Sequence, residues 1–117
     1  MPFVLILAGL LLLALAVLWV RQRRTRRAEF IRDYPFPKGL FEKLRARRPA
    51  LTLKDCQLVA QALRQFFLAY LQGGPQPVAM PSQVVDELWH EFILHTRNYQ
   101  HFCQGAFGQF MHHTPAV

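Results

Sequence analysis

An unbroken apolar run near the N-terminus constrains this chain more than any other feature. It extends from Phe3 to Val20, 18 residues counting Gly9, and carries no charged side chain. As an α-helix it would rise about 27 Å at about 1.5 Å per residue, close to the bilayer hydrocarbon thickness of about 30 Å. Trp19 lies at its end, where an indole prefers the membrane interface. The run predicts a single transmembrane anchor over residues 1–20.

A cleaved signal peptide and a buried helix are the alternatives to an anchor. A signal peptide carries positive charge before its apolar core and small residues at the cleavage site after it. Here only Met1 and Pro2 precede the run, and Trp19-Val20-Arg21 is a poor cleavage site. Eighteen apolar residues without a polar face are also unusual for a helix in so small a domain. The pattern therefore favours a retained anchor.

The charges divide the 117-residue chain into segments, although its formal net charge is +7. Residues 21–54 hold 12 Lys or Arg against 3 acids, and residues 55–117 hold 2 Arg against 4 acids. The positive-inside rule places the domain after the run in the cytoplasm, so the predicted location is the inner cell membrane. Reduced cysteine thiols are expected there. The arginines nearest the membrane are Arg21, Arg23, Arg24, Arg26 and Arg27.

Residues 21–37 are predicted to form a basic juxtamembrane linker. Clustered arginines neutralise nucleic-acid phosphates or lipid headgroups, and each charge contributes about 1 kcal/mol near an anionic surface. The position beside the apolar run favours membrane lipids as the partner. No aromatic-interleaved binding module supports nucleic acid, which is disfavoured. Pro35 and Pro37 break the helix and predict a stiff elbow whose aromatic residues pack onto the domain.

Residues 38–117 predict a small all-α domain of three helices. Lys38 to Arg48 predicts a short helix whose basic face lies either along the membrane surface or in solvent. Thr52 and Asp55 match a capping box. They precede a helix of about five turns, which Gly73-Gly74-Pro75 ends.

The third helix of the domain follows a proline-rich loop, Pro75 to Pro81. Ser82 is its predicted cap, and apolar residues at spacings of three and four extend the helix to about Gln104. The pattern allows a break near Thr96 to Asn98. Gly105 and Gly108 are predicted to end the helix.

The strongest chemical signal after the anchor lies in residues 86–113, which hold all five histidines. Asp86 and His90 are four residues apart and share a helix face. The C-terminal histidines could fold back against them. Because zinc accepts imidazole, thiolate and carboxylate ligands, typically in fours, the cluster predicts a zinc-type site. The candidate ligands are Asp86, His90, Cys103, His112 and His113.

Other interpretations of this cluster stay open. Asp86 could orient His90 by a hydrogen bond with no metal involved. Cys103 could pair with a histidine for nucleophilic catalysis, but no oxyanion donor or third orienting group is identifiable, so no catalytic residue is assigned. Neither Cys-x-x-Cys nor His-Glu-x-x-His occurs, since four residues rather than three separate His90 and His95.

A motif in this half of the chain resembles a known family. It consists of Val85-Asp86-Glu87-Leu88-Trp89-His90-Glu91-Phe92-Ile93-Leu94, then Thr96, Tyr99, Phe102-Cys103, Phe107-Gly108 and His112-His113-x-Pro115. It is similar to the glycine-rich domain-containing protein-like family, in particular its short membrane-anchored bacterial relatives. The resemblance covers residues 85–115 and implies a helical domain of no established activity. It singles out Asp86, Trp89, His90, Tyr99, Cys103, His112 and His113 as matching positions.

The segments together predict a single-pass membrane protein with a small cytoplasmic helical domain. The favoured function is an interaction or scaffold module at the cytoplasmic membrane face. A metal-binding protein, or a metal-dependent enzyme, is the alternative. The expected partners are membrane lipids, with a protein partner or self-association left open, because a core of this size benefits from additional support.

Overall fold

The computed structural model describes residues 2–73, 80 and 82–113. The described residues form five α-helices and no strand, which confirms the predicted all-α class for this part of the chain. The helices are α1 (Pro2–Asp33), α2 (Leu40–Arg47), α3 (Leu53–Gly73), α4 (Gln83–Leu94) and α5 (Thr96–Phe107).

The first helix, α1, is continuous from the apolar run through the arginines. Arg, Gln, Glu and Ala favour helix, and no breaker occurs before Pro35, so α1 ends at Asp33. By length and composition α1 is able to cross a membrane, and none of its most apolar stretch is buried. Its last turn is different, since Ile31 is fully buried against the domain. The predicted elbow is confirmed: Tyr34 is buried, and its hydroxyl donates to the Asn98 carbonyl at 3.1 Å.

Local capping signals set the starts of α3 and α4. The Asp55 carboxylate accepts from the Thr52 N–H at 2.9 Å, and the Thr52 hydroxyl accepts from the Asp55 N–H at 3.1 Å. This is the predicted capping box. The Ser82 hydroxyl accepts from the Val85 N–H at 3.2 Å, as its predicted cap role requires. The proline-rich loop predicted between these helices lies outside the described residues, apart from Met80.

Four helices follow α1 in the described residues, where the sequence predicted three. The expected single helix from Ser82 to Gln104 divides at His95 into α4 and α5. The His95 N–H bonds to the Phe92 carbonyl at 3.0 Å, and the imidazole Nδ1 lies 3.1 Å from the Glu91 carbonyl. Because a carbonyl only accepts, this contact requires the tautomer with hydrogen on Nδ1. The ring thus occupies the carbonyl that a continuous helix would bond.

Aromatic side chains from α3, α4 and α5 form a cluster within the core. Phe67, Phe92, Tyr99 and Phe102 are all fully buried. The Phe102 ring is central: its centroid lies 4.8 Å from that of Phe67 and 5.3 Å from that of Phe92. Tyr34, from the elbow after α1, approaches Phe102 to 5.0 Å. Edge and tilted contacts of this kind add to the free energy of area burial.

Two glycines of this segment have different roles: Gly105 allows the end of α1 to pack closely on α5, and Gly108 ends α5. A Cβ at Gly105 would lie 2.4 Å from the Phe30 ring, so only glycine accommodates this approach. Gly105 therefore serves helix packing inside α5, whereas the sequence predicted that it ends the helix. Gly108 does end α5: it has φ 72° and its N–H bonds to the Cys103 and Gln104 carbonyls.

Candidate functional site

The C-terminal residues after α5 fold back over α4. The Tyr99 hydroxyl donates to the Met111 carbonyl and accepts from the Trp89 indole N–H at 3.2 Å. Met111 and Trp89 are both buried. A chain of two hydrogen bonds thus links α4, α5 and the returning segment. Burial raises the pKa of the Tyr99 hydroxyl above its ordinary value, which keeps this donor protonated.

The returning segment brings His113 to Asp86. His113 Nε2 donates to the Asp86 carboxylate at 2.8 Å; it is one of the two C-terminal histidines that the sequence allowed to fold back against α4. The His113 ring lies 4.5 Å from the Trp89 ring and 6.3 Å from that of His90, measured between centroids. The two paired side chains are 25% and 39% exposed for His113 and Asp86. The pair is therefore a partly solvated surface contact.

The other two candidate ligands lie elsewhere. The His112 ring packs on Phe110 with centroids 4.8 Å apart. Cys103 is fully buried, with the Tyr99 hydroxyl and the Met111 backbone as its polar neighbours. Burial raises the pKa of the Cys103 thiol, and the same cause raises that of Cys56. A buried protonated thiol is a poor nucleophile, so neither cysteine is placed for the catalytic pair considered from the sequence.

The predicted zinc-type site is not confirmed. Across residues 2–73, 80 and 82–113, no group of three His, Cys, Asp or Glu side chains is close enough to hold a metal ion. The five candidates fail to converge because α5 turns Cys103 into the core while His112 packs on a phenylalanine. What remains of the predicted cluster is the Asp86–His113 pair with His90 beside it.

Two ion pairs fasten α2 to α4, and neither was predicted. Arg47 donates from Nε to Glu91 at 2.8 Å, and Glu91 is only 6% exposed. Arg48 forms a two-pronged contact with Glu87, at 2.6 and 3.0 Å. The hydrogen bond from Arg48 lowers the pKa of Glu87, and it raises that of Arg48. The basic face of α2, expected at the membrane or in solvent, thus contributes two of its arginines to helix packing.

The arginines that follow the apolar run belong to α1 and lie between its exposed apolar stretch and its buried end. The Arg23 guanidinium lies 5.2 Å from the Trp19 ring centroid, a cation–π contact. Arg27 approaches the end of α5, where a Cβ on Gly108 would lie 2.5 Å from its Nη2. Arg23, Arg26 and Arg27 border a groove of about 390 Å³ that reaches Gly105. This placement suits contact with anionic headgroups.

A second cavity, of about 540 Å³, opens between the elbow, α2 and α3. We call it the elbow cleft. One wall is a stripe of α3 formed by Leu53, Gln57, Gln61 and Arg64, at spacings of three and four. The cleft could not be predicted from the sequence, because the stripe mixes apolar, amide and charged side chains and so has no hydrophobic pattern.

These features define an all-helical domain that begins within the last turns of a long apolar helix. A family model described as UCP032817-like matches residues 26–117, and the chain belongs to that family. The match begins just before Phe30 and Ile31, the α1 residues that pack into the domain. No curated protein and no solved structure matches the chain at a significant level.

The family match corrects the resemblance drawn from the sequence. The glycine-rich domain-containing assignment is wrong, because the matching model is a different family and covers most of the chain. The resemblance rested on residues 85–115. Several of its positions, among them Trp89, Tyr99 and Cys103, are buried packing residues, and small helical cores can share such a pattern without sharing a family.

Proposed function

We propose that this protein is a single-pass membrane protein whose helical domain acts as an interaction module at the cytoplasmic face. The observation that carries the proposal is the contrast within α1. The apolar residues from Phe3 to Val20 are all exposed, whereas Ile31 on the same helix is fully buried in the domain. An exposed apolar surface of this size marks a membrane or protein contact, and its length suits a bilayer.

The continuity of α1 supports retention of the apolar segment over removal as a signal sequence. A signal sequence meets the same criteria of length and hydropathy. Here, however, the helix runs from the apolar stretch to Phe30 and Ile31 without a break. A loop with small residues, which signal cleavage needs, is not present between Val20 and Asp33, where the chain is helical.

The proposed orientation and interaction role rest on charge and on exposed side chains. The arginines after Val20 favour the cytoplasm for the domain. Large apolar side chains are also exposed on the domain itself, including Leu58 on α3 and Leu94 on α4, at 62% and 59%. Such residues are candidates for contact with a protein partner or a second copy of the chain.

Topology is tested by cysteine labelling in intact cells. Because Cys56 and Cys103 are buried, the unmodified full chain provides a low background. Gln65→Cys adds an exposed thiol on α3. We expect a membrane-impermeant maleimide to label this variant only after the inner membrane is permeabilised, with the chain resistant to alkaline extraction. Labelling in intact cells, or release by alkali, would contradict the proposal.

The interaction role is tested by placing a photo-crosslinking residue at Leu58 or Leu94 in the full chain in native membranes. A discrete adduct is expected from at least one of these positions, with Gln65, equally on the surface of α3, as the matched control. An adduct of twice the chain mass identifies self-association. The decisive support comes from a second, charged substitution, made either at the other leucine or one helical turn from the crosslinking position. The adduct should then be lost while the chain stays inserted in the membrane. Adducts absent at both leucines, or equal at Gln65, count against an interaction module.

A further inference from the structure

The elbow cleft combines a hydrophobic floor with several cations. Leu40, Phe41 and Leu53 supply apolar surface, and Lys38, Arg45 and Arg64 supply positive charge. Its volume of about 540 Å³ falls within the range of small-molecule sites, about 300–1,000 Å³. Apolar lining with a few convergent polar groups is the usual composition of such sites.

Arg64 is held in place before any ligand arrives. Its Nη1 donates to the Ile31 carbonyl at 2.8 Å, and its guanidinium lies 4.3 Å from the Phe36 ring centroid. Burial lowers the pKa of Arg64, with Asp33 acting in the opposite direction, although an arginine stays charged. Within the described ranges Arg64 makes no ion pair, in contrast to Arg47 at the end of α2 and Arg48 directly after it.

The remaining charges at the cleft also favour an anion. Arg45 is oriented by donation from Nε to the Leu51 carbonyl at 3.0 Å, and Lys38 also lines the cleft. Glu42 is the one carboxylate in the lining, against three cations. Gln57 and Gln61 add amide donors. A planar guanidinium fixed at two points is suited to hold a carboxylate or phosphate by paired hydrogen bonds.

We infer that the elbow cleft binds a small organic anion, in which Arg64 and Arg45 hold a phosphate or carboxylate group and the apolar floor holds a short hydrocarbon portion. The ligand comes from solution. Arg64 contacts the carbonyl of Ile31, 11 residues past Val20, which is about 16 Å along α1 at about 1.5 Å per residue. The far end of α3, by contrast, lies beside Arg24 and Thr25, so the cleft is on the side of the domain away from the apolar segment.

The test is calorimetric titration of the full chain in phosphatidylcholine nanodiscs. The probes are hexyl phosphate, inorganic phosphate and hexanol. We expect saturable binding of hexyl phosphate, about tenfold or more tighter than inorganic phosphate, because apolar burial adds to the ionic contact. No saturable binding of hexanol is expected. Equal affinity for the two phosphates, or no saturable binding of either, would overturn the inference.

Three single variants locate the binding. Arg64→Gln is expected to weaken hexyl phosphate binding about tenfold or more, and Arg45→Gln about threefold. Lys54→Gln, an exposed change outside the cleft lining, is the matched control and should leave the affinity unchanged. If Arg64→Gln loses its helical circular dichroism, the double variant Lys38→Gln with Arg45→Gln serves in its place and should weaken binding about tenfold. Unchanged affinity in the folded cleft variants, or an equal loss in Lys54→Gln, refutes the assignment.

The source of the anion is tested by adding phosphatidic acid to the nanodiscs. Because the cleft faces away from the apolar segment, we expect the affinity for hexyl phosphate to change by less than about twofold. Competition by the lipid that depends on Arg64 would show that the anion is a membrane headgroup, and this would overturn the inference of a soluble ligand.

Discussion

The two ends of α1 belong to one unbroken helix, yet their surroundings are opposite. Every residue from Pro2 to Val20 is exposed, while Ile31 has no exposed surface and Phe30 fits against Gly105. Large apolar side chains occur at both ends, although Phe30 and Ile31 stand among charged residues. The difference shows that hydrophobicity alone does not decide burial: an apolar side chain is buried when another element supplies complementary shape, as α5 does through its glycine.

The largest effect should come from charging the exposed end. In Leu11→Arg with Leu12→Arg, each arginine at the centre of a span costs about 2.5–3.5 kcal/mol on insertion scales. We expect the membrane-bound fraction of the full chain to fall more than about tenfold in carbonate extraction. Leu11→Ala with Leu12→Ala is the control and should remain inserted. Unchanged fractionation of the double arginine variant would mean that this end of α1 does not lie in lipid.

Truncating one leucine or isoleucine at each end sharpens the comparison. Ile31→Ala removes a fully buried side chain and should lower the free energy of unfolding of the domain by about 2–5 kcal/mol. Leu11→Ala should change it by less than about 0.5 kcal/mol. The measurement is urea unfolding in nanodiscs, followed by the reactivity of the buried cysteines. Equal losses in the two variants would remove the distinction between the ends.

The close approach of α1 and α5 is tested by adding a single methyl group. Gly105→Ala places a Cβ within 2.4 Å of the Phe30 ring and should destabilise the domain by about 1–3 kcal/mol. Gly73→Ala, at the end of α3, meets no atom within 4 Å and is the matched control. Stabilisation by Gly105→Ala, the result expected for an ordinary helical glycine, would contradict the packing described here.

Alkaline pH should lower the free energy of unfolding through groups in the buried part of the molecule. The pKa values of Cys56, Cys103 and Tyr99 are raised by burial, so these groups ionise more readily in the unfolded chain. Their contribution is fully present below pH about 8.5, the ordinary thiol value. The contribution of each thiol decreases as the pH rises from there towards the folded-state values, by about 1.4 kcal/mol per pH unit, whereas that of Tyr99 decreases only above its ordinary pKa of about 10.

Urea titrations between pH 7 and 10, followed by circular dichroism, measure this dependence. The variant Cys56→Ala with Cys103→Ala should show a flatter profile between pH 8.5 and 10. The same slope in both chains would assign the pH dependence to other groups.

The smallest effect is expected at the Asp86–His113 pair. Because both side chains are partly solvated, His113→Gln should cost less than about 1 kcal/mol and leave membrane insertion unchanged. A chelator is expected to leave the unfolding of the full chain unaltered. A large loss on His113→Gln, together with sensitivity to chelator, would restore the metal site predicted from the sequence.

The features that sequence predicted well are those decided by neighbours along the chain. Thr52, Asp55 and Ser82 cap helices through contacts three residues away, and Pro35 follows the end of α1 closely. The sequence also allowed His112 and His113 to fold back against Asp86 and His90 after the glycines, and His113 does contact Asp86.

The features that sequence missed depend on how helices meet. The role of Gly105 requires knowing that Phe30 lies opposite it, and the Arg47–Glu91 pair joins residues 44 apart. Cys103 was named as a possible metal ligand, but it belongs to the apolar stripe of α5 and is fully buried. Periodicity allowed a break near Thr96 to Asn98, but it did not report the cause of the division at His95, whose imidazole bonds to the Glu91 carbonyl.

Because α1 has no break between Val20 and Phe30, it connects the apolar segment to the domain as one rigid helix. A turn of the helix about its own axis, or a change in its tilt, is transmitted to the domain instead of being absorbed by a loop. One alanine inserted after Arg24 would rotate the domain by about 100° relative to the apolar segment and lift it by about 1.5 Å. In the proposed membrane-inserted protein, the helical phase of this arginine segment thereby sets which face of the domain is directed towards lipid.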